Sequence, residues 1–535
     1  MTKTDRRPEK HSRLCIFLLL IILVASGFTH LWNPVGFPTF HVDEGHYMRR
    51  AMQVMQGLGP QESRVTYDYL YDHPYFGQIF LAGALSLINY PDSLNPSGDR
   101  KSIEMLYLVP RVLMGILAVF DTFLVYKIAQ IRYNMRVAFI SSALFAVMPV
   151  GWMLRGIFLD SILLPFLLLS ILFAVYYSKR AEIGYTNNGN YKSNMLLIFS
   201  GIFLGLAIFT KVPVVTMIPL VMFLIMRKGN GITKKSLRHA GIWLIPVIFI
   251  PMIWPLYAIS VGQFDEWIEG VLYQAVRESI RNLRTSILLI FDFDPLMLIL
   301  GGAGIIYSVV KRDYFILLWT LPYLIFLYGI GWVTHFHWIM LFPALCIVSS
   351  VLIDSSVRTI KYQKIKNVML YGIVSAITLF GFLTTTALIS SNLNSEYINL
   401  YSYVVKELTS GSEKNDKFDD GITLIGSHRT RALMWIPKYV FNNDFIFRDT
   451  DLPNDNFTRP LTTKHFILVA DQNLFNRLTD RDYVQKYERE RRIASLYYNS
   501  SETVATFNDI QSEKYEFMMM RENHGFGKFI EVRKD

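Results

Sequence analysis

The chain has 535 residues, of which 52% are hydrophobic and 14% aromatic but only 18% charged. A soluble globule carries about a quarter charged residues and does not gather its apolar ones into uninterrupted runs, so a simple soluble enzyme is excluded. The net charge of +10 sits between apolar blocks rather than on a basic face interleaved with aromatics, which argues against nucleic acid, and Cys15 and Cys346 supply neither a disulfide framework nor a cysteine metal site.

The first apolar run, Leu14 to Trp32, follows Lys3, Arg6, Arg7, Lys10 and Arg13. It is long enough to cross a hydrocarbon core of about 30 Å. No small-residue cleavage site follows it, so it reads as a retained span with a cytoplasmic N-terminus. Further spans are expected at roughly 105–129, 136–152, 156–177, 195–210, 212–226, 240–259, 286–309, 314–331, 335–354 and 367–391, eleven in all. The shorter run at 76–90 is ambiguous, and basic residues arbitrate. If it is a juxtamembrane or re-entrant helix, the cytoplasmic side receives Lys127, Arg132 and Arg136, then Lys179, Arg180 and Lys192, Arg227 to Arg238, Lys311 and Arg312, and Arg358 to Lys366.

That topology puts the segments 33–104 and 260–285 and the C-terminus outside. The fold class expected is a polytopic α-helical membrane protein, with a membrane domain over 1–395 and a small extracytoplasmic α/β domain over 396–535. In the polar tail Ile422 to Ile425, Phe445 to Phe447 and His465 to Val469 read as strands around a helix at 429–440. The triplets Asn456-Phe-Thr458 and Asn499-Ser-Ser501 fit an outside location.

An ionisable side chain inside a span costs on the order of 2.5–3.5 kcal/mol, so each one calls for a partner or a function. Arg111, Arg155, Asp160 and Lys211 all fall near predicted outer span ends. Before them, His41-Val-Asp43-Glu44-Gly-His46-Tyr47 looks like a helix start with acids in its first turn. Helical spacing puts Asp43, His46 and Arg50 on one face, with Glu44 about 100° away. The segment Tyr71-Asp72-His73-Pro74-Tyr75-Phe76-Gly77-Gln78 leads into the ambiguous helix, and Arg277, Arg281 and Arg284 form a stripe beside Trp267 and Tyr273.

These residues resemble the protein O-mannosyltransferase family and its bacterial relatives, the aminoarabinose transferases included, within the C-type membrane glycosyltransferase fold. Asp43-Glu44-Gly-His46-Tyr47 is similar to the acidic DE-x-H-[FY] motif after the first span. Asp72 to Gln78 resembles D-x-H-P-P-L-G-K, shortened by one and with Tyr75 and Gln78 replacing the second proline and the lysine. Arg155 to Ser161 is similar to R-x-x-L-L-D-S, and Gly205 to Lys211 to the G-L-x-x-x-x-K turn. The tail does not resemble the β-trefoil module of the eukaryotic mannosyltransferases, which points to a prokaryotic-type relative.

The resemblance implies an inverting transfer of a mannose-like sugar from a polyprenyl or dolichyl phosphate to an acceptor hydroxyl, protein or lipid, on the outer face of the cell membrane. Asp43 is the expected base, and Glu44 its catalytic partner, binding acceptor or orienting the helix. The expected donor-binding set is His46, His73, Arg111, Arg155, Asp160, Lys211, Arg277 and Arg281. Arg155 is expected to neutralise phosphate charge, and Asp160 to fix Arg155 or a neighbouring helix. His335 and His337 diverge on a helix, so no metal site is assigned, and the residues leave a divalent metal open. A lipid or polysaccharide glycosyltransferase of the same fold is the nearer alternative. A secondary transporter is disfavoured by the large outer segments and the lack of repeats, and an oligosaccharide transferase by the missing W-W-D-Y-G signature.

Overall fold

The computed structural model describes residues 7–60, 71–182, 191–226, 233–276, 282–330, 332–413, 422–426, 428–443, 445–449, 465–469, 502–507 and 529–533. Arg277, Arg281, both Asn-x-Ser/Thr triplets, and Arg227 and Lys228 of the predicted cytoplasmic run lie outside the described residues.

The helices in chain order are α1 (Arg7–Leu31), α2 (Val42–Met55), α3 (Phe76–Ser86), α4 (Arg100–Arg132), α5 (Met135–Val147) and α6 (Leu159–Glu182). Then come α7 (Tyr191–Thr210), α8 (Ile218–Met226), α9 (Lys234–Ser260), α10 (Phe264–Val276) and α11 (Leu283–Phe293). The series closes with α12 (Pro295–Lys311), α13 (Tyr314–Gly329), α14 (Phe342–Arg358), α15 (Gln363–Ile389), α16 (Ser395–Glu413) and the short α17 (His428–Arg431). Among the described residues six helices are long and apolar enough to cross a membrane, and α5 with the turn Pro149–Arg155, bent by 66°, has the length and apolar character of either a seventh, broken span or a re-entrant loop.

The expected span 286–309 is broken. Asp294 accepts from the Met297 backbone N–H at 2.9 Å, and Pro295 follows it, so α11 ends and α12 begins inside that run. The ambiguous run at 76–90 is an eleven-residue helix, too short to span. In the tail, the expected helix at 429–440 is two pieces, α17 and a wide turn at Ile436–Val440.

The chain forms two compact units. The first comprises Met1–Trp32, Tyr69–Gly77 and Val112–Leu388. Its helices approach closely because small residues face backbone. A Cβ on Gly201 or Gly205 of α7 would lie 2.4 Å from the Trp243 carbonyl oxygen or 2.6 Å from that of Pro246 on α9. This is the small-xxx-small spacing of membrane helices, which gain from contact between helices what water exclusion cannot supply in lipid. Between α6 and α7, Ser170 and Ser200 each donate to the other's carbonyl, at 2.8 and 2.9 Å. Large apolar side chains stand exposed along α9 and α15, a surface suited to hydrocarbon.

The second unit comprises Asn33–Asp68, Gln78–Arg111 and Ile389–Asp535. The buried Asn394 side chain donates to the carbonyls of Val35 and Pro38, at 2.6 and 2.8 Å, and accepts from Phe40 N–H at 3.0 Å. Leu393 N–H adds a bond to the Gly36 carbonyl, at 2.8 Å. The strands β1 (Ile422–Gly426), β2 (Ile446–Asp449) and β3 (His465–Val469) form a parallel sheet in the order β2-β1-β3, and β4 (Glu502–Phe507) pairs antiparallel with β5 (Phe529–Arg533).

Candidate functional site

The acidic motif opens α2. His41 is its N-cap: its Nδ1 accepts from the Asp43 N–H at 3.2 Å, and its own N–H donates to Glu44 Oε2 at 2.9 Å. This reciprocal cap fixes the first turn. Glu44 is then locked from the other side. Arg111 donates through Nε to Oε1 at 3.0 Å and through Nη2 to Oε2 at 2.6 Å, while its Nη1 donates to the carbonyls of Pro34 and Pro38, each at 2.8 Å. Both side chains are essentially inaccessible, and the guanidinium carbon lies 4.9 Å from the Phe40 ring centre. A buried charge pair of this kind is tolerable because its geometry is bidentate and the remaining donors are satisfied.

The two acids therefore differ. Glu44, expected beside Asp43 in the catalytic pair, is turned into a structural clamp, and the orienting role is the one this geometry fits. Asp43 keeps 26% of its side chain exposed, with an oxygen 3.7 Å from His41 Nδ1. His46 and Arg50 of the predicted face are buried, and Arg49 Nη2 sits 3.0 Å from His46 Nδ1. Gln78 is fully buried in α3.

The other predicted residues belong to the first unit. Arg155 ends the turn Pro149–Arg155 and donates to the Thr29 carbonyl at 3.0 Å and to that of Trp32. It satisfies carbonyls that the end of α1 leaves without helical partners. Asp160, in the first turn of α6, pairs with Lys211 just past the end of α7, at 2.6 Å and with both side chains buried. Lys211 Nζ also lies 4.8 Å from the Phe336 ring centre. Phe336 packs on Phe158 at 5.3 Å, Phe158 on His335 at 6.1 Å, and His335 on Trp152 at 5.0 Å. One buried pair is thus continuous, ring by ring, with the turn carrying Arg155.

The segment with His73 packs beside this pair. A Cβ on Gly77 would meet Leu159 at 2.5 Å and Thr210 at 3.0 Å, the residues immediately before Asp160 and Lys211. His73 is half-buried. Tyr75 packs edge-on against Phe209 and Tyr257, and the Tyr71 hydroxyl donates to Gln263 at 2.8 Å. Burial, with Tyr257 and Glu266 adding to it, pushes that hydroxyl up to about 12, so it stays a donor at neutral pH. Arg284, the third of the predicted stripe, is exposed in the first turn of α11. Among the described residues no group of three or more His, Cys, Asp or Glu is arranged to hold a metal ion.

Sequence reasoning missed Asn394 and Tyr107. Tyr107 lies one helical turn before Arg111 on α4, a spacing that would have flagged it once Arg111 was singled out. Asn394 carries no comparable signal, because a single polar residue after an apolar run resembles any span end.

Residues 101–254 match the model of the family described as dolichyl-phosphate-mannose-protein mannosyltransferase, a stretch holding Arg111, Arg155, Asp160 and Lys211. Among solved structures, the archaeal oligosaccharyltransferase AglB from Archaeoglobus fulgidus, in complex with an inhibitory peptide and a dolichol-phosphate, is similar over 98% of this chain and 77% of its own. The identity is 12% and the TM-score 0.56. ArnT from Cupriavidus metallidurans in the apo state is similar over 98% of both chains, at 11% identity and a TM-score of 0.53. The same protein bound to undecaprenyl phosphate is similar with equal coverage, at 13% identity and a TM-score of 0.50. No curated protein matches the chain in sequence.

The fold is the C-type glycosyltransferase fold, and the family segment and fold neighbours agree on one class, the membrane glycosyltransferases. Within that class the matched segment is similar to the mannosyltransferases that use a dolichyl-phosphate donor.

Proposed function

We propose that the chain moves a mannose-like sugar from a polyprenyl or dolichyl phosphate to an acceptor hydroxyl, preferentially a protein Ser or Thr, by a single inverting displacement on the outer face of the cell membrane. The observation that carries this reading is the asymmetry of the acidic motif. Glu44 is held by Arg111 and the His41 N–H, which fixes the turn, while the adjacent Asp43 stays partly exposed as a carboxylate that can accept the acceptor's proton. Two fold neighbours, carrying dolichol-phosphate and undecaprenyl phosphate, support a lipid-phosphate donor.

Lys211, its ammonium paired with Asp160, is proposed as the cation for the donor phosphate, with Arg155, buried against the Thr29 and Trp32 carbonyls, proposed beside it in that role. His46 and His73 are proposed as donor-side residues, whereas Arg111, expected among them, is buried with its guanidinium on Glu44 and the carbonyls of Pro34 and Pro38 and so acts on the acidic helix rather than on the donor. Arg277 and Arg281 complete the set from the second outer segment. The proposal includes the eleven-span topology read from the sequence, with 1–395 as the membrane domain and 396–535 outside. A lipid or polysaccharide acceptor on the same fold is the second reading.

The test is transfer of radiolabelled mannose from dolichyl-phosphate or undecaprenyl-phosphate mannose by the purified chain in proteoliposomes. Asp43→Asn is expected to cut turnover by about 10²–10⁴ while the protein stays folded. Full transfer by that variant overturns the assignment of the base. Mass spectrometry of cells with and without the chain decides the acceptor: loss of a lipid glycan with protein glycans unchanged rejects the protein reading.

A further inference from the structure

We propose that the C-terminal turn around Ala432 is an integral part of the seat of α2, and that Tyr107 is a positioning residue acting on Asp43 through that turn. The inference rests on the transfer reading above for its catalytic half only.

The contact begins at Gly45, next to Glu44. A Cβ there would lie 2.2 Å from the Ala432 carbonyl oxygen and 2.7 Å from its Cα, so backbone lies against backbone with no side chain to absorb a shift. The same carbonyl is the acceptor of the Tyr107 hydroxyl at 2.5 Å. That hydroxyl accepts in turn from Trp435 Nε1 at 3.2 Å, and the two rings lie 5.6 Å apart. Tyr107, Ala432 and Trp435 are completely buried. Two further bonds anchor the turn. Tyr401 donates to the Thr430 carbonyl at 3.1 Å, and at the far end of α2 Gln53 donates to the Tyr439 hydroxyl at 2.9 Å.

Tyr107 and Arg111 stand four residues apart on α4 and so present one face. Arg111 grips α2 at Glu44, and Tyr107 grips the carbonyl that presses on Gly45. The first turn of α2, and Asp43 with it, is wedged between two fixed partners. A movement of Ala432 is passed directly to the residues beside the base. The glycine of the acidic motif is therefore required by a segment almost 400 residues further along the chain.

The experiment uses the full chain in lipid nanodiscs, with Tyr107→Phe and Trp435→Phe singly and together. Both substitutions keep an aromatic ring in place. Hydrogen–deuterium exchange of the peptide covering Val42–Met55 and steady-state transfer from dolichyl-phosphate or undecaprenyl-phosphate mannose are read in parallel. Tyr107→Phe is expected to speed exchange of the α2 amides and to lower kcat about tenfold at unchanged donor KM, as a small misplacement of a reacting group does. Trp435→Phe should act in the same direction, and the double variant should lose no more than the worse single one, because both act through one link. Unchanged α2 exchange, a change confined to KM, or multiplicative losses overturn the proposal. If the wild-type chain consumes neither donor, the transfer reading falls by itself, and exchange with its non-additivity alone decides the seat of α2.

Discussion

Glu44 and Asp43 are adjacent, yet one is sealed and the other partly exposed, and Glu44 is held by a single arginine 67 residues away. Removing that arginine takes two charged donors from the buried Glu44 carboxylate and one each from the Pro34 and Pro38 carbonyls. Arg111→Met is expected to destabilise the protein by about 3–5 kcal/mol, the range for orphaning one partner of a buried pair, and Glu44→Gln in the same chain should recover part of the loss. Thermal unfolding in detergent measures both. Arg111→Lys should not substitute, because an ammonium cannot serve two carboxylate oxygens and two carbonyls from one plane. For Asp160 and Lys211, each single neutralisation should lower turnover, and Asp160→Asn with Lys211→Met together should lose no more than the worse single variant. Additive losses would mean that the two act separately.

The helices were largely readable from apolar runs, since α4, α7 and α9 each contain one predicted span and α1, α6 and α15 each overlap one to within three residues at one end. What pattern alone did not reveal was where a run breaks. Asp294 and Pro295 interrupt 286–309 with a cap and a helix start that hydropathy averages away. Partners were equally hidden. The motif residues stood out by type and order, but that Arg111 meets Glu44, or Lys211 meets Asp160, depends on how helices pack, which no local spacing encodes. Packing also explains glycines that seemed incidental. Gly205→Leu, aimed at the Pro246 carbonyl, should lower the melting temperature or prevent accumulation, whereas Gly302→Leu, whose Cβ meets nothing within 4 Å, should be tolerated. Expression level and thermal shift of the two variants compare them directly.

For the molecule in its membrane, the basic residues define an orientation that can be tested independently of catalysis. Cysteines introduced at Ser93 and Lys179, both exposed, should behave oppositely toward a membrane-impermeant maleimide in intact cells. Ser93→Cys is expected to react directly and Lys179→Cys only after permeabilisation, in a background lacking Cys15 and Cys346. The reverse pattern would invert the proposed orientation of every span. The bonds of Asn394 to Val35, Pro38 and Phe40 add a consequence in time. A ribosome releases the acidic motif early, but the residues that brace it, Arg111, Asn394 and Ala432, emerge in sequence behind it. The nascent chain must therefore hold α2 without its final supports through most of synthesis. On the proposed topology competence arrives late, once the turn at 432 has been exported, so a truncated translation product ending before it is expected to insert into the membrane with its acidic helix still unseated.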